Sequence, residues 1–218
     1  MEAEIQDYFN TSCCSFNLSI NSRNWTLVGV TDKESFELRY GVTIGNFLLK
    51  NGNIKAEVLN TSGSEIAFDE SYITNVEYIT ITGLKYLTFF NNEITTFNPT
   101  KALPKGLLSL GLNGNQITTF DPTIELPSTL NDLGLSENRL TNFNPTLNLP
   151  VSLTYLGLYA NLITESGYTV SENWASSQPT FTNTCSIDFS FNIDSVDGTN
   201  LKTILLTKNT TVTSGGSF

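Results

Sequence analysis

Apolar residues return along the middle of the chain at a fixed interval of 23 residues. Leu84, Leu87, Phe89, Ile94, Phe97 and Leu103 open the series, with Asn92 and Pro99 set between them. Leu107, Leu110, Leu112, Asn115, Ile117, Phe120, Pro122 and Leu126 repeat it in register. Leu130, Leu133, Leu135, Asn138, Leu140, Phe143, Pro145 and Leu149 repeat it again. A fourth unit opens with Leu153, Leu156, Leu158, Asn161 and Ile163 and then departs. A degenerate fifth runs through Ile187, Phe189 and Asn192. Alternation such as Leu110-x-Leu112 puts both leucines on one side of a short strand. One such unit cannot bury its apolar side alone, so the units are expected to stack with their strands parallel.

Each column has its own physical reading. Asn92, Asn115, Asn138, Asn161 and Asn192 fall where the chain turns inward after the strand. An amide both donates and accepts, so a buried column of them can satisfy the backbone of adjacent turns. Phe97, Phe120 and Phe143 are expected to fill the core behind the strands. Pro99, Pro122 and Pro145, with Pro104, Pro127 and Pro150, deny the returning segment a regular helix. The convex side is therefore expected to be extended, with at most a 3₁₀ turn.

The strand residues facing the other way form the candidate binding face. They are Tyr86, Thr88 and Phe90; Ser109, Gly111 and Asn113; Asp132, Gly134 and Ser136; Tyr155, Gly157 and Tyr159; and Ser186, Asp188 and Ser190. From these, Tyr86, Thr88, Phe90, Asn113, Asp132, Tyr155, Tyr159 and Asp188 are the candidate ligand-contacting residues. The glycine column suggests a shallow groove walled by aromatic rings, suited to a sugar chain or an extended peptide.

The spacing L-x-x-L-x-L-x-x-N-x-L in these units resembles the leucine-rich repeat family, over three full and two partial units from about residue 79 to 196. The resemblance implies a mainly β protein: a short solenoid with a parallel sheet, an irregular convex side and a helical C-terminal cap. Its members are mostly binding scaffolds. A finer likeness lies in Asn115 to Pro127, Gly167 to Trp174 and Ser195 to Leu205, which look like repeat modules of tailed-bacteriophage structural proteins. That likeness implies an accessory virion component, a tail or capsid decoration or fibre assembled in the host cytoplasm. Its implied partners are other virion proteins and a host-surface glycan or protein, with self-association into a homo-oligomer left open. The alternative is a bacterial protein–protein interaction module unrelated to a virus.

The flanks carry weaker signals. Residues 1–70 do not repeat and read as a small β-rich docking domain. Strands are expected over Asn24–Val30 and Ser35–Val42, and Asn51-Gly52 marks a hairpin. Ala3 to Phe9 could form a turn or two of helix. Residues 71–196 form the repeat domain, with Tyr72 to Ile81 expected to seal its N-terminal end. Thr169-Val-Ser-Glu172 has capping-box spacing and predicts a short helix that packs Trp174 inward and ends at Pro179. Residues 197–218 are expected to hold a capping helix near Leu201 to Leu206, a last strand over Thr210 to Thr213, and a loose tail. Asp194 and Asp197 lack a calcium-loop pattern and read as turn and cap residues.

Composition narrows the chemistry. The 218 residues carry no histidine, which removes histidine-based acid–base catalysis and histidine-ligated metals. Eleven basic against twenty-one acidic residues give a net charge of −10, which disfavours nucleic acid and anionic membranes. Asp132 and Asp188 are the only acids on the expected concave strands and lie two units apart, a poor match to a catalytic carboxylate pair. The expected protein is non-catalytic and uses no metal or cofactor. Cys13 or Cys14 could bridge to Cys185, but three buried, inert thiols are the favoured reading. The acidic start lacks the apolar core of a secretory signal, and no segment is apolar enough to span a membrane.

Overall fold

The computed structural model describes residues 16–20, 23–27, 42–50, 53–61, 65–69, 73–81 and 83–215. The helix expected over Ala3 to Phe9, and the strand expected over Ser35–Val42 up to residue 41, lie outside them. Five short strands open the chain: β1 (Phe16–Ile20), β2 (Arg23–Leu27), β3 (Val42–Lys50), β4 (Asn53–Thr61) and β5 (Glu65–Ala67). They are followed by β6 (Asn75–Ile81), β7 (Tyr86–Thr88), β8 (Ser109–Gly111), β9 (Asp132–Gly134) and β10 (Tyr155–Gly157). Helix α1 (Glu165–Ser177), β11 (Cys185–Asp188), α2 (Asn200–Leu206) and β12 (Thr210–Thr213) complete the order. The protein is mainly β, with helix confined to two segments near the C-terminus among the described residues.

Strands β5 and β7 to β12 run parallel in one sheet, in chain order, and β1 and β2 extend it antiparallel beyond β5. Pairing follows the sequence period. Leu87, Leu110, Leu133, Leu156, Ile187 and Val212 stand side by side, and so do Tyr86, Ser109, Asp132, Tyr155, Ser186 and Thr211. Leu87, Leu110, Leu133, Leu156 and Ile187 are fully buried and Val212 partly so, whereas their outward neighbours are half-buried or exposed. A separate three-stranded sheet joins β3, β4 and β6. The expected hairpin is formed, since β3 and β4 pair antiparallel out to Lys50 and Asn53.

The segment expected to seal the N-terminal end covers it on the return side, with Ile73 and Val76 buried in the core, and not at the parallel sheet. Its strand β6 pairs with β4 and bridges through Asn75 to Thr96 on the return segment, while β5 covers β7. Strand propensity located this segment correctly but could not select its neighbour, because pairing is settled by which edge is exposed nearby.

Behind the sheet, Phe68, Phe89, Phe97, Phe120, Phe143 and Trp174 form one continuous ring column, each within 6.5 Å of the next. Pro99, Pro122 and Pro145 are buried beside it. The return carries isolated turns in place of a 3₁₀ helix. Pro104, Pro127 and Pro150 each offer a carbonyl to the N–H three residues on, at Leu107, Leu130 and Leu153, and so aim the chain into the next strand.

Helix α1 is capped five residues before the expected cap. Thr164 is the cap, accepting from the Gly167 N–H, and Thr169 lies inside the helix, donating its hydroxyl to the Glu165 carbonyl. The capping-box spacing at Thr169 was met by coincidence within a longer helix. Gly167 explains the docking: a Cβ there would sit 2.0 Å from the Thr141 carbonyl oxygen, so only glycine admits this approach. Gln178 ends the helix fully buried, its amide paired with both the N–H and the carbonyl of Leu149. Thr199 caps α2, and β12 forms where alternation placed it. Cys185 carries a free, buried thiol, which burial pushes up to about 12; Cys13 and Cys14 lie outside the described residues.

The residue before each ladder asparagine takes a left-handed conformation: Asn91, Gly114, Glu137, Ala160 and Phe191 have φ between 50° and 68°. Only Gly114 does so without steric cost. Gly114→Ala will therefore cost about 1–2 kcal/mol, read as a lower midpoint in urea unfolding. An unchanged midpoint would mean that the turn relaxes freely.

Candidate functional site

The asparagine column is structural and completely bonded. Asn115 Oδ1 accepts from the Ile94 N–H at 3.0 Å, and its Nδ2 donates to the Phe89 and Leu112 carbonyls at 2.8 and 3.0 Å. Asn92, Asn138, Asn161 and Asn192 make the equivalent bonds, and all five side chains are buried. A second ladder, on the convex side, was missed by sequence reasoning. Asn98 Oδ1 accepts from the N–H and hydroxyl of Thr123, Asp121 does the same for Thr146, and Asn144 accepts from the Trp174 N–H. Its signal was present in the recurring Phe-Asn/Asp-Pro-Thr, read there only as a proline column.

On the outward face of the sheet the glycine column is not an open floor. The Phe90 ring lies across Gly111, where a Cβ would meet its Cε1 at 2.3 Å. Asn113 lies across Gly134 and the Ser136 hydroxyl across Gly157, at 2.7 and 2.8 Å from the Cβ position. Each of these side chains comes from the preceding unit, 21 residues earlier, and leans onto the next strand. Glycine is required by that close approach. The expected groove is correspondingly shallower, and its wall residues already have work in the scaffold.

The candidate residues divide accordingly. Thr88 donates its hydroxyl to Asp69 Oδ1 at 3.0 Å, and the Phe90 N–H donates to the same oxygen at 2.8 Å. Asn113 Oδ1 accepts from the Ser136 N–H at 2.9 Å, and Asp188 Oδ1 from the Ser190 N–H at 2.9 Å. These acceptors cap backbone groups just past the strand ends. Tyr86 is 42% exposed on its own strand. Asp132 and Tyr155 are direct cross-strand neighbours, and Asp188 stands beside Gly157 on the next strand.

The two aspartates thus approach the same tyrosine. Burial raises the Tyr155 phenol above its ordinary pKa, and the negative charges of Asp188 and Asp132 add to the rise. Burial also raises the Asp132 carboxyl above 3.8, with the Ser109 hydroxyl pulling it the other way. A raised carboxyl binds its proton more readily in the folded chain than in the unfolded one. The fold therefore gains on acidification and gives up stability as pH rises through the raised value. Asp132→Asn should unfold at a slightly higher midpoint than the parent at pH 7, with the gap closing as pH falls toward 4. A variant less stable at neutral pH would show that the Ser109 bond outweighs burial.

Tyr159 meets Phe191 edge to face, with ring centroids 5.3 Å apart. Phe191 is 43% exposed and absent from the sequence-derived face. It occupies the position before a ladder asparagine, where Asn91, Gly114, Glu137 and Ala160 stand in the other units. Comparing that column would have singled it out as the one aromatic residue. At the C-terminal cap, Asp194 accepts from the Glu165 N–H and from the Tyr168 hydroxyl through its carbonyl. Asp197 is bonded by Lys202, Ser214 and Ser195, and the Lys202 bond above all lowers its carboxyl to about 2. Both act as turn and cap residues.

The class defined so far is a mainly β protein whose parallel sheet presents one outward face of hydroxyl, aromatic and aspartate side chains. Among the described residues, no three His, Cys, Asp or Glu side chains converge as metal ligands, and no helix is long and apolar enough to cross a membrane. The chain matches no protein-family model and no curated protein sequence.

Proposed function

We propose that the chain is a non-catalytic binding and structural protein: a short leucine-rich-repeat solenoid that serves as an accessory component of a tailed-bacteriophage virion. In this reading residues 1–70 attach it to a capsid or tail subunit, and the repeats face outward toward the host surface or another subunit. The observation that carries it is the separation of duties within each unit. Buried asparagines, leucines and phenylalanines hold successive units together. The outward positions on either side of the glycine column recur at the same register with changing chemistry, as a surface evolved for presentation would. The residue likeness at Asn115 to Pro127, Gly167 to Trp174 and Ser195 to Leu205 supplies the virion part of the proposal.

Mass spectrometry of purified, intact particles from cells producing the protein tests it. The chain should co-purify at a fixed stoichiometry, and cross-links from residues 1–70 should reach a capsid or tail subunit. Absence from intact particles would overturn the virion assignment.

A further inference from the structure

Beside the outward face, where the chain leaves β9 and β10, the turns of two successive units border a shallow, largely open cleft of about 480 Å³. Tyr159 and Leu162 form its apolar wall, and Glu137 and Arg139 stand on its rim. Leu162 is 40% exposed, and Phe191 braces the Tyr159 ring edge-on from the next unit. The ring is therefore held in place before any ligand arrives, which lowers the ordering cost of binding.

The rim chemistry is specific. Glu137 and Arg139 are two residues apart on one turn, both exposed, and neither side chain hydrogen-bonds a group among the described residues. They do not pair with each other. One supplies only acceptors and the other only donors. An anionic ligand would meet Glu137 and an ammonium ligand would meet Arg139. A neutral polyol uses both, since each hydroxyl donates and accepts. A ligand with one apolar face for an aromatic ring and a rim of adjacent hydroxyls is a sugar in its pyranose form.

Resting on the reading of this protein as one that presents a binding surface, we infer that the cleft binds a neutral hexopyranose unit of a glycan. The sugar's C–H face lies on Tyr159, and its vicinal hydroxyls bond Glu137 and Arg139. Phe191 is a positioning residue, acting through the tyrosine. The same turn in the preceding unit carries Gly114 and Gln116, with Ser136 in place of Tyr159, so the platform is not a property of every repeat.

The test is saturation-transfer NMR on the full chain with the methyl glycosides of glucose, galactose and mannose, with glucuronate and glucosamine as charged comparators. At least one neutral glycoside should receive saturation, strongest on the ring protons of one face, and exceed both charged sugars. Tyr159→Leu, which keeps apolar volume but removes the ring, should weaken it roughly 5- to 10-fold. Glu137→Gln and Arg139→Gln should each weaken it several-fold, and the exposed Asn183→Ala, outside the cleft, should leave it unchanged. An unaltered urea midpoint in each variant excludes unfolding as the cause. No transfer to any neutral glycoside, or transfer that survives Tyr159→Leu, overturns the inference. Loss with Tyr155→Ala instead would move the sugar to the sheet face, overturning this site while leaving the proposed function standing. That function fails separately, on absence from particles.

Discussion

Asn161→Ala will lower the stability of the chain by about 2–4 kcal/mol, from roughly 1–3 kcal/mol for the buried Leu140 N–H left without a partner and about 1 kcal/mol for the lost bonds to two carbonyls. Asn161 is fully buried between the third and fourth units. Its Oδ1 accepts from the Leu140 N–H at 3.0 Å, and its Nδ2 donates to the Leu135 and Leu158 carbonyls at 3.0 and 3.1 Å. Alanine would leave the Leu140 N–H facing an apolar interior with no route to water, while the Leu135 and Leu158 carbonyls keep the bonds donated by Asn138 and Asn192. Urea unfolding followed by circular dichroism measures the loss, with exposed Asn183→Ala as the comparator, expected within about 0.5 kcal/mol of the parent. Equal effects at the two sites would remove the ladder from the account of stability.

The second large effect is expected at Trp174. Its ring is 1% exposed and meets Phe143 edge-on at 4.7 Å, ending the ring column that runs behind the sheet. Trp174→Ala opens a cavity between α1 and the third unit and should cost about 3–5 kcal/mol. Trp174→Phe should cost less than half as much. The indole Nε1–H has no hydrogen-bond partner, so replacing it sacrifices packing but no bond. Thermal unfolding by circular dichroism separates the two variants without relying on tryptophan emission. A phenylalanine variant as damaged as the alanine one would mean that the exact shape of the indole, more than its apolar area, seats the helix.

Much of this was legible in the residues. Leu110, Leu112 and Asn115 declare their roles through period alone, because side-chain direction in a strand and the inward turn after it are local properties. Phe97, Phe120 and Phe143 follow from the same period. The candidate site was less legible. Phe90 and Asn113 sit at outward positions as read, yet they lean across the next strand and serve the scaffold, a relation between residues 21 apart that no local pattern states. Phe191 escaped notice because its unit is lengthened by α1, so its column is offset from the others. Thr169 carried a sound local signal that tertiary neighbours overrode, and the strand read within Tyr72 to Ile81 covers the end of the stack from its return side.

The sequence by itself determined the unit, its period, its buried columns and the order of its strands, because each unit repeats one local solution that only stacking can complete. The tertiary structure alone decided that β5 covers the first unit, that glycine recurs to admit a neighbour's side chain, and that Glu137, Arg139 and Tyr159 border one cleft. Those outcomes depend on distances across the turns of separate units, and such distances exist only once the units are stacked.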